Sequence, residues 1–147
     1  MEIFFLVLVG VAGATAPIQA GVNSRLALWT KDPAMAALVS FAVGTLCLLG
    51  YVVAVRVPWP ALSEAGKLPW WIWTGGSIGA FIVVTTIITA PRLGAATMIA
   101  GLVAGMMLAG LVLDQYGLVG YAARETTLWR AIGAVLLILG VVLIRRF

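Results

Sequence analysis

Apolar residues fall along this chain in five blocks, each at or near the length of about 20 residues that a helix needs to cross a bilayer. The first runs from Ile3 to about Val22, and its helix is expected to continue to Trp29. The predicted spans are residues 3–29, 34–55, 70–90, 93–113 and 128–144. Asp32 before the second span is a predicted N-cap, with Pro33 at the first helical position, where its missing N–H costs nothing. Only Ala90, Pro91 and Arg92 separate the third span from the fourth, which predicts a tight antiparallel hairpin. The longest connections, about 56–68 and 114–127, are too short for a folded extramembrane domain. Residues 1–147 are therefore expected to form a single transmembrane domain, all-α throughout. Met1-Glu2-Ile3 lacks the basic start of a cleaved leader, so the first span is expected to be retained.

Tryptophan placement agrees with these borders. Trp29, Trp59, Trp70, Trp71, Trp73 and Trp129 lie at or near predicted span ends, where an amphipathic ring suits the headgroup level. A tryptophan cage for a cation is the rival reading, strongest for the deeper Trp73.

Composition narrows the class. The chain is 63% hydrophobic and 10% charged, against about 25% charged residues in soluble domains, and its mean hydropathy is +1.15. Nine Lys and Arg against five Asp and Glu sit singly or in pairs between apolar blocks, a membrane-border pattern and not a nucleic-acid footprint. With no His and one Cys, zinc sites and His-based catalysis have no ligands or bases to use. Cys47 is expected to be a small core residue. No nucleophile with a base and no Gly-rich phosphate loop is present. The expectation is a protein without enzyme activity, cofactor or metal.

Five spans put the termini on opposite sides, so basic residues can be compared across the membrane. Arg56, Lys67, Arg124 and Arg130 share the N-terminal side; Arg25, Lys31, Arg92, Arg145 and Arg146 share the other. Four against five encodes no strong orientation. Many carriers use two inverted halves around a midplane site, and this chain has room for one half. An antiparallel homodimer of dual topology is the resulting expectation; a fixed orientation with a related partner chain is the alternative.

Polar residues within hydrocarbon need partners, and each is a site candidate. In the first span Ala12, Thr15, Ala16, Gln19 and Asn23 recur at helical spacing and form one stripe. Pro17 in the same helix frees a carbonyl one turn earlier. The stripe either lines a cavity or marks close helix contact. Arg25, near the end of that helix, is either an anion contact at a cavity mouth or a headgroup-level arginine. Ser40, Trp73, Ser77, Thr97 and Met106 complete the cavity candidates. Thr85, Thr86, Thr89 and Thr97 can instead bond back to their own helices. Gly75, Gly79, Gly101, Gly105, Gly133 and Gly140 have the spacing of helix-packing or dimer seams. All five acids, Glu2, Asp32, Glu64, Asp114 and Glu125, lie at span ends or in loops. Proton exchange on a mid-membrane carboxylate is thereby disfavoured, with Asp114 the nearest substitute.

Pro17-Ile-Gln-Ala-Gly-Val-Asn23, Ser40-Phe-Ala-Val-Gly44, Pro69-Trp-Trp71 with Gly75-Gly-Ser-Ile-Gly-Ala80, and Pro91-Arg-Leu-Gly-Ala-Ala96 together resemble the short, five-helix YdcZ-like bacterial branch of the drug/metabolite transporter superfamily. Leu113-Asp114, Arg130-Ala-Ile-Gly133 and Leu139-Gly-Val141 also resemble the closing half of an EamA-type repeat. The resemblance covers essentially the whole chain. It implies a multi-pass protein of the bacterial inner membrane, a small-molecule transporter whose halves come from separate chains. Gly105-Met106 departs from relatives that place a Gln after a small residue here, so a site at this point would be less polar, with Met106 and Met107 as soft walls. The reading is a dimeric carrier working by alternating access. A passive ion channel at an antiparallel dimer interface and a non-transporting interaction subunit are the alternatives.

Overall fold

The computed structural model describes all 147 residues apart from the side chain of Leu62. Six α-helices follow one another: α1 (Glu2–Thr30), α2 (Pro33–Val55), α3 (Leu62–Ala65), α4 (Gly75–Leu93), α5 (Ala95–Tyr116) and α6 (Leu128–Arg146). No strand occurs among the described residues. Five segments are long and apolar enough to cross a membrane: α1, α2, the 3-10 turn Trp70–Thr74 with α4, α5 and α6. The all-α membrane architecture expected from hydropathy is what the chain adopts.

Local chemistry sets the ends. Asp32 caps α2 by accepting a hydrogen bond from the Met35 N–H at 2.8 Å, with Pro33 in the first turn; such a cap contributes about 1 kcal/mol. Arg56 closes α2 in the left-handed region, its N–H donating to the Val53 carbonyl at 3.1 Å while Val57 N–H donates to Val52 at 3.0 Å. Five of the six tryptophans sit at helix ends, Trp29 in the last turn of α1, Trp70, Trp71 and Trp73 in the turn before α4 and Trp129 in the first turn of α6, while Trp59 lies in the connection after α2; all six are exposed.

The α4–α5 junction differs from the expectation. Pro91 does not end the helix, which continues to Leu93, and the break is Gly94 alone, at φ 76° and ψ 159°, a region essentially restricted to glycine. Proline at 91 removes the donor that would have bonded the Ile87 carbonyl. The single proton of the Ser24 hydroxyl of α1 is shared between the Ala20 carbonyl at 2.7 Å and that Ile87 carbonyl at 3.2 Å. A tertiary contact thus reaches the freed acceptor, in a helix that runs on past its proline.

The chain forms two compact units, Ile18–Pro91 and Met1–Pro17 with Arg92–Phe147. In the first, Ala36, Ala37 and Ile87 are buried and pack with Leu26, Ala27, Val83 and Val84; the alanines leave α1, α2 and α4 room to approach. In the second, α5 packs against α6. Arg130 at the start of α6 is ion-paired to Asp114 near the end of α5, and the Asp114 carbonyl accepts the Arg124 N–H at 2.7 Å. The Gln115 side chain accepts the Thr126 N–H at 2.6 Å, and Thr127 caps α6. Asp114 is therefore occupied in holding the α5–α6 turn. Gly117 ends α5 at φ 59°, with Ala123 so near that an added Cβ would lie 3.2 Å from its Cβ. Cys47 is exposed on α2 and not in a core; the covered residues of α2 are those that pack toward α1 and α4.

Candidate substrate cavity

Residues spaced by three and four on α2 form adjacent ridges: Ser40, Gly44 and Leu48 on one, Phe41 and Thr45 on the next. With Gln19 of α1 they line a cavity of about 250 Å³ in the Ile18–Pro91 unit. Gly44 keeps one wall low, with no atom within 4 Å of an added Cβ among the described residues. The Phe41 ring reaches to 3.7 Å from the Cβ position of Gly79 on α4. Gln19, Ser40 and Thr45 are the polar lining, and no ionisable residue takes part. An amide and two hydroxyls offer both donors and acceptors at fixed points. Such a site can orient an uncharged polar group or solvate an ion partially, but it cannot exchange a proton.

Asn23 lies one turn beyond Gln19 on the same face of α1, 3% exposed, and its side-chain Nδ2 has no hydrogen-bond partner. Leaving a buried amide donor unpaired costs about 1–3 kcal/mol, so its presence calls for a reason. Arg25 is exposed and, two residues on, is turned about 200° away from Asn23; it does not join the cavity. Trp73, 61% exposed, lines a separate pocket of about 350 Å³ with Pro60, Ala61, Glu64, Ala65 and Leu68. Ser77 is exposed on α4. Thr97, half-buried, and Met106, 51% exposed, lie on α5 in the other unit. The structure thus brings together Gln19 and Ser40 with Asn23 adjacent.

Thr86 and Thr89 bond back to the Val83 and Thr85 carbonyls at 2.8 and 2.7 Å, the intrahelical role expected of them. Among the glycines proposed for packing, only Gly79 has a neighbour; at Gly75, Gly101, Gly105, Gly133 and Gly140 an added Cβ would meet nothing within 4 Å among the described residues. Reading from sequence missed Thr45, Leu48 and the donor role of Ser24. The first two repeat the ridges of Ser40 and Phe41 one turn on, which was the available signal. Ser24 had none, because its acceptor is 63 residues away.

Comparison with known proteins adds the family. The description "Putative inner membrane exporter, YdcZ" matches this chain over residues 4–143. The chain belongs to the YdcZ family. Inner membrane protein YdcZ of Escherichia coli (strain K12) is 36% identical over 106 residues, 67% of this chain and 70% of that protein. No solved structure matches the chain. YdcZ-family membership and five membrane-spanning segments make this a multi-pass inner-membrane protein with a transporter-like role, and an exporter family is not an enzyme class.

Proposed function

We propose that this YdcZ-family chain is half of a small-molecule carrier, acting as an antiparallel homodimer that alternates access across the inner membrane. The observation carrying the reading is the α1–α2 cavity, where Gln19, Ser40 and Thr45 place polar groups among apolar walls on helices long enough to span the bilayer. Polar side chains held at membrane depth mark substrate paths. The orphan amide of Asn23 fits a donor that is used when substrate is present or when the cavity changes shape.

Two further observations support the dimer. No span has more than 6% of its most apolar window buried, whereas a carrier must shield its cargo from lipid. The basic residues divide four against five between the two sides, too evenly to fix one orientation. Inverted pairing of two such chains generates the symmetry that carriers of this type use.

In proteoliposomes, a panel of small cations, anions and uncharged metabolites is expected to include a solute that raises the melting temperature and is carried saturably. Solid-supported-membrane recordings and thermal shift measure the two. A panel that neither shifts stability nor shows flux would sink the carrier reading, and non-saturating flux would replace it with a channel. Reporter fusions at the C-terminus are expected to give signal from both sides of the membrane; signal from one side only rules out dual topology.

A further inference from the structure

The α5–α6 pair carries a third cavity, of about 540 Å³, lined by Ala95, Ala96, Ile99, Ala100 and Val103 of α5, Leu137, Gly140, Val141 and Ile144 of α6, and Pro17. Every lining residue is apolar. The α5 lining covers about 12 Å along the axis at 1.5 Å per residue, most of one leaflet of a hydrocarbon core about 30 Å thick. The groove is built from the first turns of α5 and the last turns of α6, so its mouth lies at one end of the antiparallel pair.

Charge is divided unequally between the two ends of this pair. At the far end Arg130 is ion-paired with Asp114. At the groove's mouth, Arg92 precedes Ala95 by three residues, Arg145 and Arg146 directly follow Ile144, and all three are exposed. None of them forms a salt bridge among the described residues. The C-terminal dipole of α6 and a carboxylate at Phe147 offset part of this charge, and the rim stays net cationic.

We propose that the groove and its arginine rim bind an anionic phospholipid, one acyl chain lying between α5 and α6 and the headgroup phosphate on Arg92 and Arg145. An apolar slot of leaflet depth under unpaired cations is complementary to such a lipid in both shape and charge. A zwitterionic lipid fills the slot but brings no net charge to the rim. Arginine suits the phosphate because its fork donates two parallel hydrogen bonds. This site is separate from the substrate cavity and does not depend on the carrier reading.

The test uses the purified full chain in detergent, with dioleoylphosphatidylglycerol and dioleoylphosphatidylcholine added at equal concentration. Retained lipid is counted by native mass spectrometry, and stability is followed by thermal unfolding. The glycerol lipid is expected to be retained preferentially and to raise the melting temperature more. Each basic residue beside an anionic headgroup contributes about five-fold in binding, so R92Q/R145Q is expected to lose about 25-fold of the preference at low salt. R124Q, at the other end, is expected to keep it. Gly140→Leu fills the groove from a position where an added Cβ meets no atom within 4 Å, and is expected to reduce retention of both lipids while the chain stays helical by circular dichroism. Equal retention of the two lipids by the native chain overturns the proposal, as does a double variant that keeps the preference. Gly140→Leu abolishing cross-linking between chains with lipid retention unchanged also overturns it, because the groove then holds a second copy.

Discussion

Asn23→Leu is expected to raise thermal stability and at the same time abolish the stabilisation that a transported solute confers. Its Nδ2 is buried without a partner, and replacing an unsatisfied amide with an apolar side chain of similar size removes a penalty of about 1–3 kcal/mol. A rise in melting temperature without solute measures that gain. If Asn23 serves the neighbouring cavity, the solute-dependent shift disappears in the variant. A variant that is more stable and still fully responsive to solute would assign Asn23 to packing alone. One that is less stable would show that the amide is satisfied in the membrane-embedded protein.

Ala36→Leu is expected to be the most damaging single change in the Ile18–Pro91 unit. Ala36 is 0% exposed, with Ala37 at 3% and Ile87 at 2% beside it. A leucine there has no space, and overpacking of this kind costs about 1–3 kcal/mol. Because Ile87 also supplies the carbonyl bonded by Ser24, displacement of that turn endangers the α1–α4 hydrogen bond as well. Ala34→Leu, two residues earlier and exposed, is the matched control and is expected to leave the melting temperature nearly unchanged. Equal melting temperatures for the two variants would refute the packing described for α1, α2 and α4.

The parts of the fold that local sequence controls were legible in it. Asp32 with Pro33 marks a helix start by short-range chemistry, and the tryptophans and apolar runs mark the bilayer, so the five spans needed no tertiary information. Pro91 shows where this ends. A proline does not by itself end a helix, as Pro17 inside α1 also shows, and the carbonyl that Pro91 frees is met by Ser24 from 63 residues away. The site divides along the same line. Gln19 and Ser40 were visible as polar residues in apolar helices, whereas Thr45 and Leu48 belong to the cavity only because α2 turns that face toward α1. Arg25 and Trp73 have chemistry that suits a site, and rotation about the helix axis in one case and a place in a different pocket in the other keep them out of it. Glycine spacing at 101, 105, 133 and 140 indicated close approach without indicating to what, and no neighbour within the chain provides it.

The polypeptide passes from one unit to the other only twice, after Pro17 and after Pro91, and both passages lie inside helices. A helix resists bending through its ladder of hydrogen bonds, and each proline has already removed one rung. The two joints are therefore the most compliant places along α1 and α4. They are not equivalent. At Pro91 the vacated Ile87 carbonyl is clasped by Ser24, whereas near Pro17 the Thr15 hydroxyl donates to Ala12 at 2.6 Å, one residue short of the carbonyl that this proline frees. The carbonyl freed by Pro91 is thus met by a side chain and the one freed by Pro17 is not, so α1 bends more easily at its proline than α4 does at its own.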